Sequence, residues 1–397
     1  MSTTHYLDIE TIRVFLEDKH RDLAGEIELY AESHISTLPT LSDDSAAREQ
    51  ARAVLGLLGR GGWLGYAVPA EFGGVSEAID LRACCLIREA LAARSPLADA
   101  VFALQCLGSM PLALAAGRDL KQRWLPEVAG GKAMAAFAMT EPEAGSDVKA
   151  MQTSATREGE DYVLDGSKIF ISNAGLADFY TTFAVTGEND KGRPSISCFL
   201  VPAQTVGLTF AASQVMSAPH PLGEMTYKKC RIPGTNRLGE EGEGFKLGME
   251  TLDRLRVTVA AAACGMAARA LAEATAHVKT RMQFGKRLAD FQLTQQKIAR
   301  MTTDLAAARL LTYRAAWESA QPESAARRIT LRSAMAKSYA TETAQRVIDD
   351  AVQLLGGIGV LADHPVDHLY RSVRALRIYE GTSEIQQLII AREILQD

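Results

Sequence analysis

Cysteine is scarce in this 397-residue sequence. The six, Cys84, Cys85, Cys106, Cys198, Cys230 and Cys264, include no Cys-x-x-Cys pair and no metal-ligand spacing with histidine. This usage excludes a disulfide framework and a zinc module, and it reads as reduced, buried thiols. No Gly-x-Gly-x-x-Gly follows a strand, and Walker, zinc and Ser-His-Asp patterns are missing. The seven histidines form no ligand set, so no metal is expected. His220, between Pro219 and Pro221, reads as a loop residue. No run of 18 apolar residues occurs, and no charged–apolar–small leader opens the chain. The expectation is a soluble, cytoplasmic protein without a membrane partner. Positive charge is not in excess: 43 basic residues face 48 acidic ones, for a net charge of −5 and a pI near 5.9. That balance argues against a nucleic-acid binder.

What the sequence does contain is ordinary globular composition, 47% hydrophobic and 23% charged. Its length suggests two or three domains. Residues 1–133 carry apolar residues at helical spacing, such as Val54, Leu55, Leu57 and Leu58, broken by glycines near 59–62, 72–74 and 130–131 and by Ser95-Pro96. Val101 to Leu114 is very apolar and holds Gln105 and Ser109, and it reads either as a buried helix or as the wall of a pocket. Residues 134–239 are strand-like. Short runs recur at Ala136–Thr140, Phe179–Val185, Ile196–Val201 and Met225–Ile232, and Asp165-Gly166 reads as a hairpin turn between Tyr162–Leu164 and Lys168–Ile171. Residues 240–397 return to helical spacing. Phe245 to Met282 lacks proline, and a helix approaching 40 residues would be about 60 Å long, which favours a bundle. Further helices are expected over about 291–320, 325–354 and 385–395. The fold class is therefore α+β, an antiparallel β domain between two helical ones.

Four motifs stand out. Tyr379-Glu380-Gly381-Thr382-Ser383-Glu384 puts a carboxylate on an aromatic-flanked turn, with Ser383 and Gln386 at capping-box spacing for the last helix. A carboxylate so placed serves as a general base if the site is dry. Phe137-Ala138-Met139-Thr140-Glu141-Pro142-Glu143-Ala144-Gly145-Ser146-Asp147 ends a strand in an exposed loop, freeing backbone N–H groups and hydroxyls for a planar heterocycle. Asp253 and Arg256 are helix neighbours three apart that can form an ion pair. Arg281-Met282-Gln283-Phe284-Gly285 is followed by Gln292, and Gln353 and the pair Gly356-Gly357 come later; a planar guanidinium matches phosphate oxygens, and a Gly-Gly pair equally well ends a helix.

Together these motifs resemble the acyl-CoA dehydrogenase family, whose signatures recur in the expected order from about Trp124 to the end and more loosely before it. The resemblance implies an N-terminal helical domain, a middle β domain and a C-terminal four-helix-bundle domain. It implies FAD as cofactor and Glu380 as the base that removes the α-proton of an acyl-CoA thioester, with hydride passing to flavin N5 to give the trans-2-enoyl-CoA. No glutamate occupies the Arg254-Leu255 stretch, where some branches carry the base. Flavin contacts would fall to Phe137, Met139, Thr140, Gly145, Ser146, Phe170, Ile171, Ser172, Thr382 and Glu384. Here Phe170-Ile171-Ser172 stands where Trp-Ile-Thr is usual. Arg281, Gln283, Phe284, Gln292, Gln353, Gly356 and Gly357 would complete the FAD site from a neighbouring subunit, implying a homotetramer. Ser146, Asp253, Arg256, Tyr379 and Gly381 would touch substrate. An electron-transfer flavoprotein is the implied acceptor. The acyl group is expected to be short, branched or cyclic, because 103–109 holds no charged side chain and Val215–Gly223 departs from the usual loop. A flavin oxidase or monooxygenase on the same fold, and a non-catalytic or nucleic-acid-binding relative, are the alternatives.

Overall fold

Alanine- and leucine-rich segments form the helices of this computed structural model, which describes residues 5–188, 191–321 and 326–395. In chain order the helices before the sheet are α1 (Ile9–Ile12), α2 (Asp18–Tyr30), α3 (Asp44–Arg60), α4 (Leu81–Arg94), α5 (Pro96–Ala115) and α6 (Arg118–Ala129). The strands are β1 (Ala135–Ala138), β2 (Ser154–Glu158), β3 (Asp161–Ser172), β4 (Phe179–Glu188), β5 (Pro194–Pro202), β6 (Leu208–Ser213), β7 (Leu222–Pro233) and β8 (Arg237–Leu238). Then come α7 (Gly244–Thr280), a small hairpin of β9 (Met282–Gln283) and β10 (Lys286–Arg287), α8 (Gln292–Ser319), α9 (Ala326–Leu355), α10 (Pro365–Leu376) and α11 (Ser383–Leu395). The expected start of the penultimate long helix at Ala325 lies outside the described residues.

The chain divides into two compact units. One comprises the chain up to Thr40, Asp80–Asp99 and everything from Asp253. It is helical, and the middle of α7 is fully buried in it. Val257 and Val259 to Ala263 have no exposed surface, and a Cβ at Gly265 would lie 2.0 Å from the Glu89 carbonyl. Small residues thus let α7 approach α4 at backbone distance. α9 packs against α8, α10 and α11. α10 is an element the sequence reading lacks. His364 caps it by accepting from Val366 N, Pro365 opens it, and Val366, Leu369, Val373 and Leu376 make its buried stripe.

The second unit comprises Leu41–Ile79 and Ala100–Leu252 and holds an eight-stranded sheet, ordered β6-β7-β3-β2-β4-β5-β8 with β1 beside β4. Tyr162, Leu164, Ile171, Tyr180, Phe199, Met225, Tyr227 and Ile232 form its core. The sheet is mostly antiparallel, as expected, with β1 running parallel to β4, Ala135 opposite Phe179. One expectation is corrected. Asp165-Gly166 is not a hairpin turn. It is a bulge inside the 12-residue β3, where the register against β7 slips between Leu164 and Gly166. The slip has a visible cause. Gly166 takes φ +147°, and its missing Cβ leaves room for Thr153, while the Asp165 carboxylate accepts from Lys229 N at 2.8 Å. The true turn is at Gly159, φ +66°, where β2 meets β3.

Two helices, α5 and α7, are apolar and long enough to cross a membrane by composition, but 67% and 83% of their most apolar windows are buried inside the protein.

Candidate active site

The turn from Ile378 to Thr382 is built to hold one carboxylate off the helical path. Glu380 has φ +54° and Gly381 φ +91°, so a residue with a side chain sits in the left-handed region beside a glycine that tolerates it. The turn is pinned from behind. Gln386, fully buried, donates to the carbonyls of Glu380 and Gly381 at 3.1 and 2.9 Å. Lys337 on α9, also fully buried, donates to the Gly381 carbonyl at 2.7 Å. The expected capping box is replaced. Thr382 caps α11 by accepting from Ile385 N at 3.3 Å, because the Ser383 hydroxyl is committed to Glu342 at 2.5 Å, where Arg377 also bonds. Glu384 is exposed in the first turn.

Glu380 itself is half-buried, and its Oε2 is buried with no hydrogen-bond partner. Among the described residues no acceptor pairs with its backbone N–H. Burial raises its carboxyl above the usual range, and the charges of Arg88, Arg256 and Lys337 offset only part of that. Burial likewise lowers the Lys337 ammonium to about 8. Arg88, 2% exposed on α4, is forked onto Asp99 at 2.7 and 2.9 Å and reaches the Thr258 hydroxyl at 2.9 Å. Arg256 pairs with Asp253 on the same helix, as the spacing predicts, and Asp253 accepts from Thr330 at 2.6 Å. Arg88, Asp99 and Lys337 are functional candidates that sequence reasoning missed. Each lies as a charge inside an apolar helical run: Arg88, beside Glu89, within Cys84 to Ala93, Asp99 within Leu97 to Leu104, and Lys337 within Ala334 to Ala340.

In the sheet-bearing unit, Phe137 lies in β1, and Met139, Thr140 and the 141–147 loop follow it. Phe137 packs against Phe183 with ring centroids 5.0 Å apart, and Met139 is buried. Glu141 is spent on structure. Burial alone would raise its carboxyl, but Lys168 at 2.7 Å and the backbone of Gln152 and Thr153 outweigh it and hold it below the usual range. Gly145 and Ser146 lie exposed on the loop, and nothing approaches the space a Cβ at Gly145 would fill. At the end of β3 the alternation is broken. Phe170 takes φ +56° and turns its ring outward, 59% exposed, while Ile171 is buried and Ser172 half-buried. His220 is in a loop as expected, and it is half-buried, with Nε2 2.7 Å from Ser172 Oγ.

In the helical unit, Arg281, Gln283, Phe284 and Gln292 are exposed on and after the β9–β10 hairpin, Phe284 at 93% with φ +49°. Gln353, Gly356 and Gly357 are exposed at the end of α9, and Gly356 takes φ +64° with open space at both glycines. An outward aromatic ring beside hydroxyls fits a planar heterocycle. An exposed guanidinium and uncovered glycine backbone fit a pyrophosphate. Among the described residues no cluster of histidine, cysteine and carboxylates could hold a metal.

Comparison with known proteins follows this geometry. Family models described as the acyl-CoA dehydrogenase N-terminal, middle and C-terminal domains match residues 17–132, 136–230 and 242–395. The chain is 38% identical over 384 residues to a probable acyl-CoA dehydrogenase of Mycobacterium leprae, covering 96% of each. It superposes on butyryl-CoA dehydrogenase from Megasphaera elsdenii with a TM-score of 0.87 at 32% identity, covering 96% of this chain and 99% of that one. An acyl-CoA dehydrogenase complexed with FAD from Bacillus anthracis gives 0.85 at 26% identity, over 96% of this chain and 67% of that one.

Proposed function

Since the chain belongs to the acyl-CoA dehydrogenase family, an FAD-dependent group of oxidoreductases, we propose that it converts an acyl-CoA thioester to the trans-2-enoyl-CoA with Glu380 as the α-proton base. The observation that carries this reading is Glu380 itself: a carboxylate on strained left-handed backbone, with one oxygen buried and unpartnered and its proton affinity raised by burial. Such a group is costly to keep and suited to taking a proton from carbon. The free N–H of Glu380 supports the second requirement, a donor for the thioester oxygen as negative charge develops on it. Lys337 and Gln386 hold the carbonyls of this turn, so the N–H and the carboxylate keep their aim. Bound FAD supplies the two-electron acceptor for the β-hydrogen.

In this reading Thr140, Ser146, Phe170 and Ser172 hold the flavin ring. Arg281, Gln283, Phe284, Gln292, Gln353, Gly356 and Gly357 receive the phosphate-bearing part of FAD from a neighbouring protomer. The assembly is a homotetramer, and segments 1–133, 134–239 and 240–397 act as its helical, β and helical domains. Tyr379, Gly381, Asp253 and Arg256 meet the thioester. The acyl group is uncharged and short, branched or cyclic. This is supported by the 103–109 stretch, which carries no charged side chain. An electron-transfer flavoprotein reoxidises the enzyme. The test is anaerobic titration with a panel of acyl-CoAs while flavin absorbance is followed. Bleaching by an uncharged thioester is expected, and Glu380→Gln with FAD bound should not bleach at the wild-type rate. If it does, Glu380 is not the base.

A further inference from the structure

The Phe170-Ile171-Ser172 segment is locally strained, and one loop holds it nearly atom by atom. Phe170 and Asn173 both have positive φ, +56° and +64°, and the β3–β7 register slips between Lys168 and Ile171. Two such residues cost on the order of 1–3 kcal/mol each and persist only where their surroundings over-determine them. The surroundings here are the loop Gln214–Leu222. Gln214 Oε1 accepts from Phe170 N at 2.8 Å, and its amide is oriented by Glu224, to which Gln214 Nε2 donates at 3.2 Å. The Pro221 carbonyl accepts from Asn173 N at 2.7 Å. His220 Nε2 lies 2.7 Å from the Ser172 hydroxyl. The loop is itself tied to α3: His220 N donates to Asp44 at 3.3 Å, and Arg48 donates to the carbonyls of Ala174 and Leu222 at 2.8 and 3.2 Å.

We propose that His220, with Gln214 beside it, is a positioning residue that fixes the Ser172 hydroxyl and the outward Phe170 ring for contact with the flavin. This rests on the reading that Phe170 and Ser172 face FAD. Burial, with Arg48 nearby, lowers the imidazolium to about 4, so the ring is neutral in the working range. A neutral imidazole has one donor and one acceptor nitrogen, so in either tautomer Nε2 takes one role towards the Ser172 hydroxyl. The hydroxyl can then offer a fixed proton or a fixed lone pair outward, which a freely rotating serine cannot.

The test uses the full-length, FAD-loaded protein and reads the flavin rather than turnover. His220→Ala, Ser172→Ala and the double variant are compared by the visible absorption spectrum, the midpoint potential and the FAD dissociation constant. If His220 acts through Ser172, each single variant shifts spectrum and potential in the same direction and weakens FAD about fivefold or more. The double variant then shifts no further than either single one, since residues in one hydrogen-bonded unit are non-additive. His220→Gln, which keeps a side-chain donor and acceptor, restores part of the shift. Gln214→Ala gives a second entry to the same device should His220→Ala fail to fold: it is expected to change the flavin spectrum through Phe170. Loss of Ser172 that moves the flavin, while loss of His220 or Gln214 leaves it at wild type, overturns the proposal and keeps the parent reading. Simple addition in the double variant also overturns it. A wild-type protein that binds no FAD sinks both.

Discussion

Glu380 is held at φ +54° with Oε2 buried and unpaired, so its ionised form carries a cost in the folded protein that it does not carry in the unfolded chain. Burial raises its proton affinity despite Arg88, Arg256 and Lys337. The folded state therefore binds this proton more tightly than the unfolded state does. Stability falls as pH rises through the ordinary glutamate value towards the raised one, and stays lowered above it. Glu380→Gln removes that cost. The variant should melt at a higher temperature than wild type at pH 8, and the gain should vanish near pH 4, where both side chains are neutral; melting curves at the two pH values check this. Its activity should move the other way. Loss of a general base costs roughly 10²–10⁴-fold, measurable as the rate of flavin reduction by substrate. The acidic limb of kcat/KM for wild type should lie above the ordinary glutamate value, because the base acts only when ionised.

Helix α4 illustrates how elements are joined around this turn. Its adjacent Arg88 and Glu89 are both buried and point to different partners: Arg88 to Asp99 and Thr258, and Glu89 to Arg309 at 2.7 Å and the Tyr313 hydroxyl at 2.8 Å. Glu89→Ala leaves Arg309 buried without its carboxylate. A loss of about 3–5 kcal/mol is expected on breaking such a pair, read as a lower urea midpoint with unchanged slope. Gly166→Ala tests the β3 bulge in the same assay. It should destabilise, because a Cβ there meets Thr153 Oγ1 at 2.5 Å and φ +147° disfavours a side chain. These sites also mark where sequence reading stops. The long helices and most strands were legible because their apolar spacing is set locally. The Asp165-Gly166 bulge was not, since the same two residues make a hairpin turn unless Thr153 and Lys229 claim them from elsewhere in the chain. β2 was hidden by its polar exposed end, Thr156 to Glu158, and β6 because Thr209 to Ser213 is exposed throughout and carries no alternation of apolar and polar residues. Glu380 was legible as a residue. The buried Arg88, Asp99 and Lys337 around it were not, because their neighbours come from helices far apart in sequence. The Ser383 cap failed for the same reason, since Glu342 on α9 takes its hydroxyl.

At the scale of the molecule, the helical unit exposes large apolar side chains along its C-terminal elements: Phe284 at 93%, Leu293 at 76%, Val360 at 64%, Leu388 at 65% and Leu395 at 80%. Large exposed apolar side chains of this kind are available to a partner surface. Phe284 is also held at φ +49°, a strained conformation with no packing to repay it within the chain's own described surroundings except Phe291, at 6.3 Å between centroids. The proposed homotetramer supplies a cover, and FAD shared between protomers makes it measurable. Sedimentation should give a species of four 42.9 kDa chains, with flavin absorbance moving at that mass. Arg281→Ala should keep the protomer's melting behaviour, because Arg281 is exposed, yet weaken FAD about tenfold or more, the expected loss for a charge-assisted hydrogen bond. Dilution separates this from a site complete within one chain. If Arg281 serves a neighbour's FAD, dissociation of the assembly must release flavin, and apparent FAD affinity must fall with protein concentration. Flavin that sediments with single chains, at undiminished affinity, would place the whole FAD site on one protomer and leave the exposed hairpin at Phe284 to a different role.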